Sequence, residues 1–133
     1  MHHQDIQVIR ADEHASHYQI TDASCFYFPI LPLQGLIQAV QQEKKELVAL
    51  PGRIEVSDKN GSLHYHHGVT IAFITAGFGI VKTLSKDIPI RTGDIILIPS
   101  MARHLSIAAQ GTTMTEHIVF LGAKDDLQAV YDA

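Results

Sequence analysis

From residue 47 onward, Gly and Pro cut this chain into apolar runs too short for helices, and the cuts recur at regular intervals. Leu47-Val48-Ala49-Leu50 ends at Pro51-Gly52, a turn pair. Arg53-Ile54-Glu55-Val56-Ser57 alternates polar and apolar residues, as a half-buried strand does. Asp58-Lys59-Asn60-Gly61 follows, and Asn-Gly is the strongest short hairpin signal. The pattern predicts strands over 62–67 and 69–75, a turn at Ala76-Gly77-Phe78-Gly79 and a strand near 80–84. Ile88-Pro89-Ile90 leads to a turn at Arg91-Thr92-Gly93-Asp94, and Ile95-Ile96-Leu97-Ile98 reads as a buried strand stopped by Pro99. Strands near 104–109 and 113–121 complete a series that predicts an all-β sandwich or barrel.

The remainder is less regular. Cys25-Phe26-Tyr27-Phe28-Pro29-Ile30 reads as a short apolar strand stopped by proline. Leu33, Leu36, Ile37 and Val40 recur at helical spacing, which predicts a short amphipathic helix over 33–43, weakened by Gly35. Asp125, Leu127, Val130 and Tyr131 suggest one closing turn of helix. A chain of 133 residues suits a single domain over 1–133: an extension over 1–46, a barrel core over 47–121 and a tail over 122–133.

Charge narrows the function. The formal net charge is -4 and the dense run Glu43-Lys44-Lys45-Glu46 is mixed in sign, which argues against a nucleic-acid surface. No apolar stretch has the length of a membrane helix. The single cysteine, Cys25, rules out an intrachain disulfide, and the first residues lack signal-peptide character, so a cytoplasmic location is expected.

The candidate chemistry lies in the nine histidines. In a strand, His64 and His66 point to one side, about 7 Å apart, within reach of one metal ion. Two histidines on a solvated face fit that spacing equally well. His104 follows Pro99 by five residues, at the start of the next predicted strand. His67 alternates to the face opposite His66, and His14 and His17 read as surface residues. Either Glu116 or His117 can point inward from a regular strand, and the ordinary reading is an outward Glu116. Tyr27 and Phe73 could line a pocket, although core packing is the commoner fate of aromatics.

Taken together, the segments around 64–77 and 93–104 resemble the paired motifs of the cupin superfamily. The first motif runs His-x-His, three or four residues, Glu, six residues, Gly; His64, His66 and Gly77 match, and Thr70 stands at the Glu position. The second runs Gly, five residues, Pro-x-Gly, two residues, His, three residues, Asn. Gly93, Pro99 and His104 match; Met101 replaces the inner Gly and Ala108 the Asn. The resemblance covers about 53–121 and implies a double-stranded β-helix, the cupin jelly-roll barrel, with one or two short helices. It implies a divalent Fe, Mn, Ni, Zn or Cu ion held by His64, His66 and His104. Thr70 would then hydrogen-bond a bound water or substrate rather than the metal.

The barrel is also similar to the effector-binding half of AraC-type transcription regulators, which bind a small molecule without chemistry. About a dozen residues follow the barrel, so a complete regulator of that type is not expected. Two functions are therefore expected: a metal-dependent enzyme acting on a small anionic molecule, or a non-catalytic small-molecule sensor. The resemblance also implies a homodimer, with the apolar run at 26–33 and the helix near 33–43 contributing. Three neutral imidazoles on one ion predict metal affinity that falls as pH drops through about 6, with up to three protons taken up.

Overall fold

The computed structural model of the chain describes residues 6–10, 16–20, 23–27 and 48–131, the segments 16–20 and 23–27 through their backbone alone. Twelve strands are present among them: β1 Gln7–Ile9, β2 Ser16–Ile20, β3 Ala23–Tyr27, β4 Val48–Val56, β5 His64–Tyr65, β6 Val69–Ala76, β7 Phe78–Thr83, β8 Asp87–Arg91, β9 Ile95–Ile98, β10 His104–Ala108, β11 Met114–Gly122 and β12 Val130–Tyr131. A 3-10 turn, Lys124–Leu127, precedes β12. One sheet has the order β1-β9-β6-β11-β4, the other β12-β5-β10-β7-β8, and β2-β3 is a separate hairpin. All pairings are antiparallel.

From β4 to β12 the chain changes sheet at every step except between β7 and β8, so it winds between the two layers. Ala72, Ile74, Ile96, Ile98 and Met114 of the first sheet pack with Val81, Ile90 and Ala108 of the second to form the core. Val69, Ile71, Ile95 and Leu97 form another buried cluster on the opposite face of β6 and β9. Both faces of these strands are thus buried, which explains their continuous apolar runs.

Two glycine-bearing turns make the winding possible. Gly77, between β6 and β7, has φ 84°, and a Cβ there would lie 2.6 Å from the Thr113 carbonyl oxygen. Gly93 has φ 96° beside Asp94, whose buried carboxylate accepts from the Arg91 backbone N–H at 2.9 Å and pairs with the Arg10 guanidinium. The Gly-Asp pair of the second motif therefore closes the turn that launches β9.

Several boundaries differ from expectation. Pro51-Gly52 does not break the chain: β4 runs through both, with Pro51 opposite Val119 and Gly52 opposite Ile118. Among the described residues β4 is an edge strand, and an edge tolerates a residue without an N–H. The strand expected over 62–67 shrinks to His64–Tyr65, and Phe78 and Gly79, expected in a turn, already belong to β7. The tail forms the 3-10 turn and then a strand, because Val130 and Tyr131 pair with Tyr65 and His64. The helix expected over 33–43 lies outside the described residues. Among the described residues no helix is long and apolar enough to cross a membrane.

Candidate metal site

His64 and His104 are direct partners across the β5–β10 ladder, so the two motifs meet at one register position. His66 lies just beyond β5, where the regular two-residue alternation no longer holds. Two hydrogen bonds hold it in place. The Met101 N–H donates to the His66 carbonyl at 2.8 Å, and the His66 ring meets the Leu127 carbonyl at 2.9 Å. Ring centroids are 4.5 Å apart for His64 and His104, 5.2 Å for His64 and His66, and 5.7 Å for His66 and His104. One ring nitrogen from each lies within 4.8 Å of the others, and among the described residues no other set of His, Cys, Asp and Glu groups converges this way.

Hydrogen bonding assigns the ring nitrogens. A carbonyl only accepts, so Nδ1–H of His66 donates to Leu127 and Nδ1–H of His104 donates to Ala102, at 2.8 Å. Each ring therefore keeps its lone pair on Nε2, the arrangement by which outer partners orient metal-binding histidines. His64 Nδ1 is buried with no hydrogen-bond partner. Such an orphan costs roughly 1–3 kcal/mol unless something fills its valence. Two pre-oriented imidazoles and one unsatisfied ring nitrogen fit a divalent ion.

Electrostatics favour the metal-ready protonation state. Burial pushes His104 down to about 4, assisted by His64 and His66 and opposed by its bond to the Ala102 carbonyl. Burial and the neighbouring His66 lower His64. Burial lowers His66 against the opposing carbonyls of Leu127 and Gln128. All three rings are neutral near pH 7 and hold free lone pairs.

The histidines open onto a cavity of about 450 Å³ inside the barrel. Thr70, paired with Ile98 and Phe120 on its neighbouring strands, is buried and lines this cavity. Ile98, Ile118 and Phe120 make much of its wall apolar.

Glu116 corrects the sequence reading. It points inward, 4% exposed, and Ser106 Oγ–H donates to Glu116 Oε1 at 2.8 Å. Burial pushes its carboxyl above the usual range, with the Ser106 hydroxyl opposing. The reason is strand parity: Met114 and Phe120, both fully buried, share its side of β11. His117 takes the outer side, its ring 2.8 Å from the Thr75 hydroxyl. Glu116 shares the cavity with the histidines but does not belong to their cluster of converging donors.

His67 does not line the cavity; its ring packs edge-on near Tyr65, 5.4 Å between centroids. Phe73 is 37% exposed and also stays outside the cavity. The side chains of His14, His17 and Tyr27 lie outside the described residues. Sequence reading missed the carbonyls of Ala102 and Leu127, and Tyr131, whose ring sits 5.6 Å from that of His64. A carbonyl partner leaves no signal in side-chain identity. Met101, at the motif's inner Gly position, adopts φ 67°, the left-handed conformation that glycine takes without strain.

No family model and no curated protein matches the sequence. Solved structures do match. A cupin 2 domain-containing protein from Halorhodospira halophila aligns over 98% of this chain and 86% of its own, at 13% identity and TM-score 0.57. A cupin 2 conserved barrel domain protein from Rhodopseudomonas palustris aligns over 96% and 78%, at 19% identity and TM-score 0.55. Acireductone dioxygenase from Bacillus anthracis, with a cadmium ion in its active centre, aligns at 16% identity and TM-score 0.50. That alignment covers 75% of this chain and 64% of the dioxygenase, less than two thirds of its length. At such identities the likeness is one of fold, and this chain has a double-stranded β-helix like that of these cupin structures.

Proposed function

We propose that this chain is a metal-binding cupin in which His64, His66 and His104 hold a divalent Fe, Mn, Ni, Zn or Cu ion, and that it acts on a small anionic molecule in the barrel cavity. The observation that carries the reading is the convergence of three neutral imidazoles, two with Nδ1 tied to a carbonyl and one with a buried nitrogen left unpaired. Three neutral ligands leave the ion its full charge, and such an ion acts as a Lewis acid that favours anionic partners. The chain's own residues supply the setting. The Ala102 and Leu127 carbonyls orient the rings, the Thr70 hydroxyl offers a hydrogen bond to a bound molecule, and Ile98, Ile118 and Phe120 limit water.

Thr70 in place of a carboxylate also favours a second reading, a binding or sensing domain of the AraC effector type that uses the same cavity without turnover. Metal analysis of purified protein, followed by oxygen consumption with a panel of small carboxylic acids, separates the two. Stoichiometric metal with turnover supports the enzyme, and ligand binding without turnover supports the sensor. His64→Ala, His66→Ala and His104→Ala should each remove most metal binding, and His67→Ala little. A loss in His67→Ala as large as that in His66→Ala would refute the ligand set. We further propose a cytoplasmic homodimer; a monomer mass by light scattering at micromolar concentration would refute the dimer.

A further inference from the structure

Glu116 has no part in holding the three imidazoles, yet it is a buried carboxyl that faces their cavity. The other buried carboxylate among the described residues, Asp94, is neutralised by Arg10 and does not line the cavity. Among the described residues Glu116 has one hydrogen-bond partner, the Ser106 hydroxyl at 2.8 Å. A carboxyl group can make several hydrogen bonds, so most of its capacity is unspent. The ionisable groups sharing the cavity are the three histidines and Lys59, and none of them holds the carboxyl in its charged form. The unspent capacity faces the space a ligand would fill.

Position makes this specific. Ser106 follows His104 by two residues on β10, so both side chains lie on one face, about 7 Å apart along the strand. The cavity therefore has two polar ends, the imidazole cluster and the Glu116–Ser106 pair, within a largely apolar wall. A short ligand can reach both.

We propose that Glu116 and Ser106 form a second recognition pole, which selects small carboxylates bearing a chain hydroxyl over the same acids without it. The proposal rests on the reading that the histidines hold the carboxylate end through a metal. A ligand hydroxyl donates to the acceptor capacity of Glu116 that Ser106, already donating to Oε1, leaves open. A methylene in its place leaves that remaining capacity of the buried carboxyl unmet, and sites built to bond a hydroxyl discriminate against its absence.

The test is calorimetric titration of the Zn(II)-loaded full chain with butyrate and with γ-hydroxybutyrate. Wild type should bind the hydroxy acid about tenfold more tightly, the ratio expected for one good hydrogen bond to a buried polar group. Glu116→Gln and Ser106→Ala should each reduce that ratio to threefold or less while leaving Zn(II) affinity and butyrate affinity unchanged. Equal affinity of the wild type for the two acids overturns the proposal alone. So does a preference that survives undiminished in both variants. A chain that takes up no Zn(II) overturns the metal reading and the proposal with it.

Discussion

Acidification should unfold this protein through His104. The ring is 6% exposed, and burial, assisted by the two neighbouring histidines, holds it down to about 4 against an ordinary value of 6.5. The folded state therefore binds fewer protons than the unfolded chain between these values, and stability falls as pH falls. The full shift corresponds to about 3 kcal/mol, of which about 2 kcal/mol is already lost by about pH 5. His64 and His66 are lowered too, so they add to the same trend. Urea unfolding of metal-free protein at a series of pH values measures the loss. His104→Gln removes the titrating ring, and its stability curve should be flatter by those amounts. Parallel curves for wild type and His104→Gln would refute the reasoning. The same burial corrects the expectation that metal affinity falls through about pH 6. Protons compete less well for lowered rings, so acid release of Zn(II), followed by chelator competition, should have its midpoint clearly below that of free imidazole, near 6.5. A midpoint at the free-imidazole value would count against the buried cluster as the binding site.

Further substitutions test the supporting geometry. Met101 pays for its φ of 67° with about 1–2 kcal/mol of strain, partly offset in any glycine variant by backbone entropy. Met101→Gly should therefore raise stability by up to about 1 kcal/mol in urea, whereas Met101→Val should lower it. Gly68→Ala should destabilise by about 1–3 kcal/mol, because its Cβ would stand 2.4 Å from Phe120 Cζ and 2.8 Å from the Leu121 carbonyl oxygen. Thr70→Glu should tighten Zn(II) binding, since it adds an anionic donor to the cavity that Thr70 lines. Unchanged affinity by chelator competition would show that position 70 does not face the ion.

The strand series was legible because it rests on local rules. Gly and Pro punctuate, and side chains alternate with a period of two; β9 to β11 lie within a residue or two of where those rules put them. Local rules failed where partners decide. Pro51-Gly52 is a good turn pair, but β11 pairs with β4 along its whole length and holds the backbone extended. Val130 and Tyr131 look like part of a helical turn until β5 supplies an edge for them to pair with.

The sequence by itself determined that the chain is a β-barrel, and it marked His64, His66 and His104 as the residues to watch, because turn chemistry, strand parity and motif spacing are written in neighbouring residues. Only the tertiary structure decided that His64 faces His104 across a ladder and that His66, beyond the end of its strand, is held by Met101 and Leu127. It alone turned Glu116 inward. Parity says that Glu116 and His117 face opposite ways, but which way is inside depends on Met114 and Phe120 packing against the rest of the barrel. The lowered basicity of His104 arises the same way. It is a property of burial and of two other rings, and neither exists until distant segments of the chain have come together.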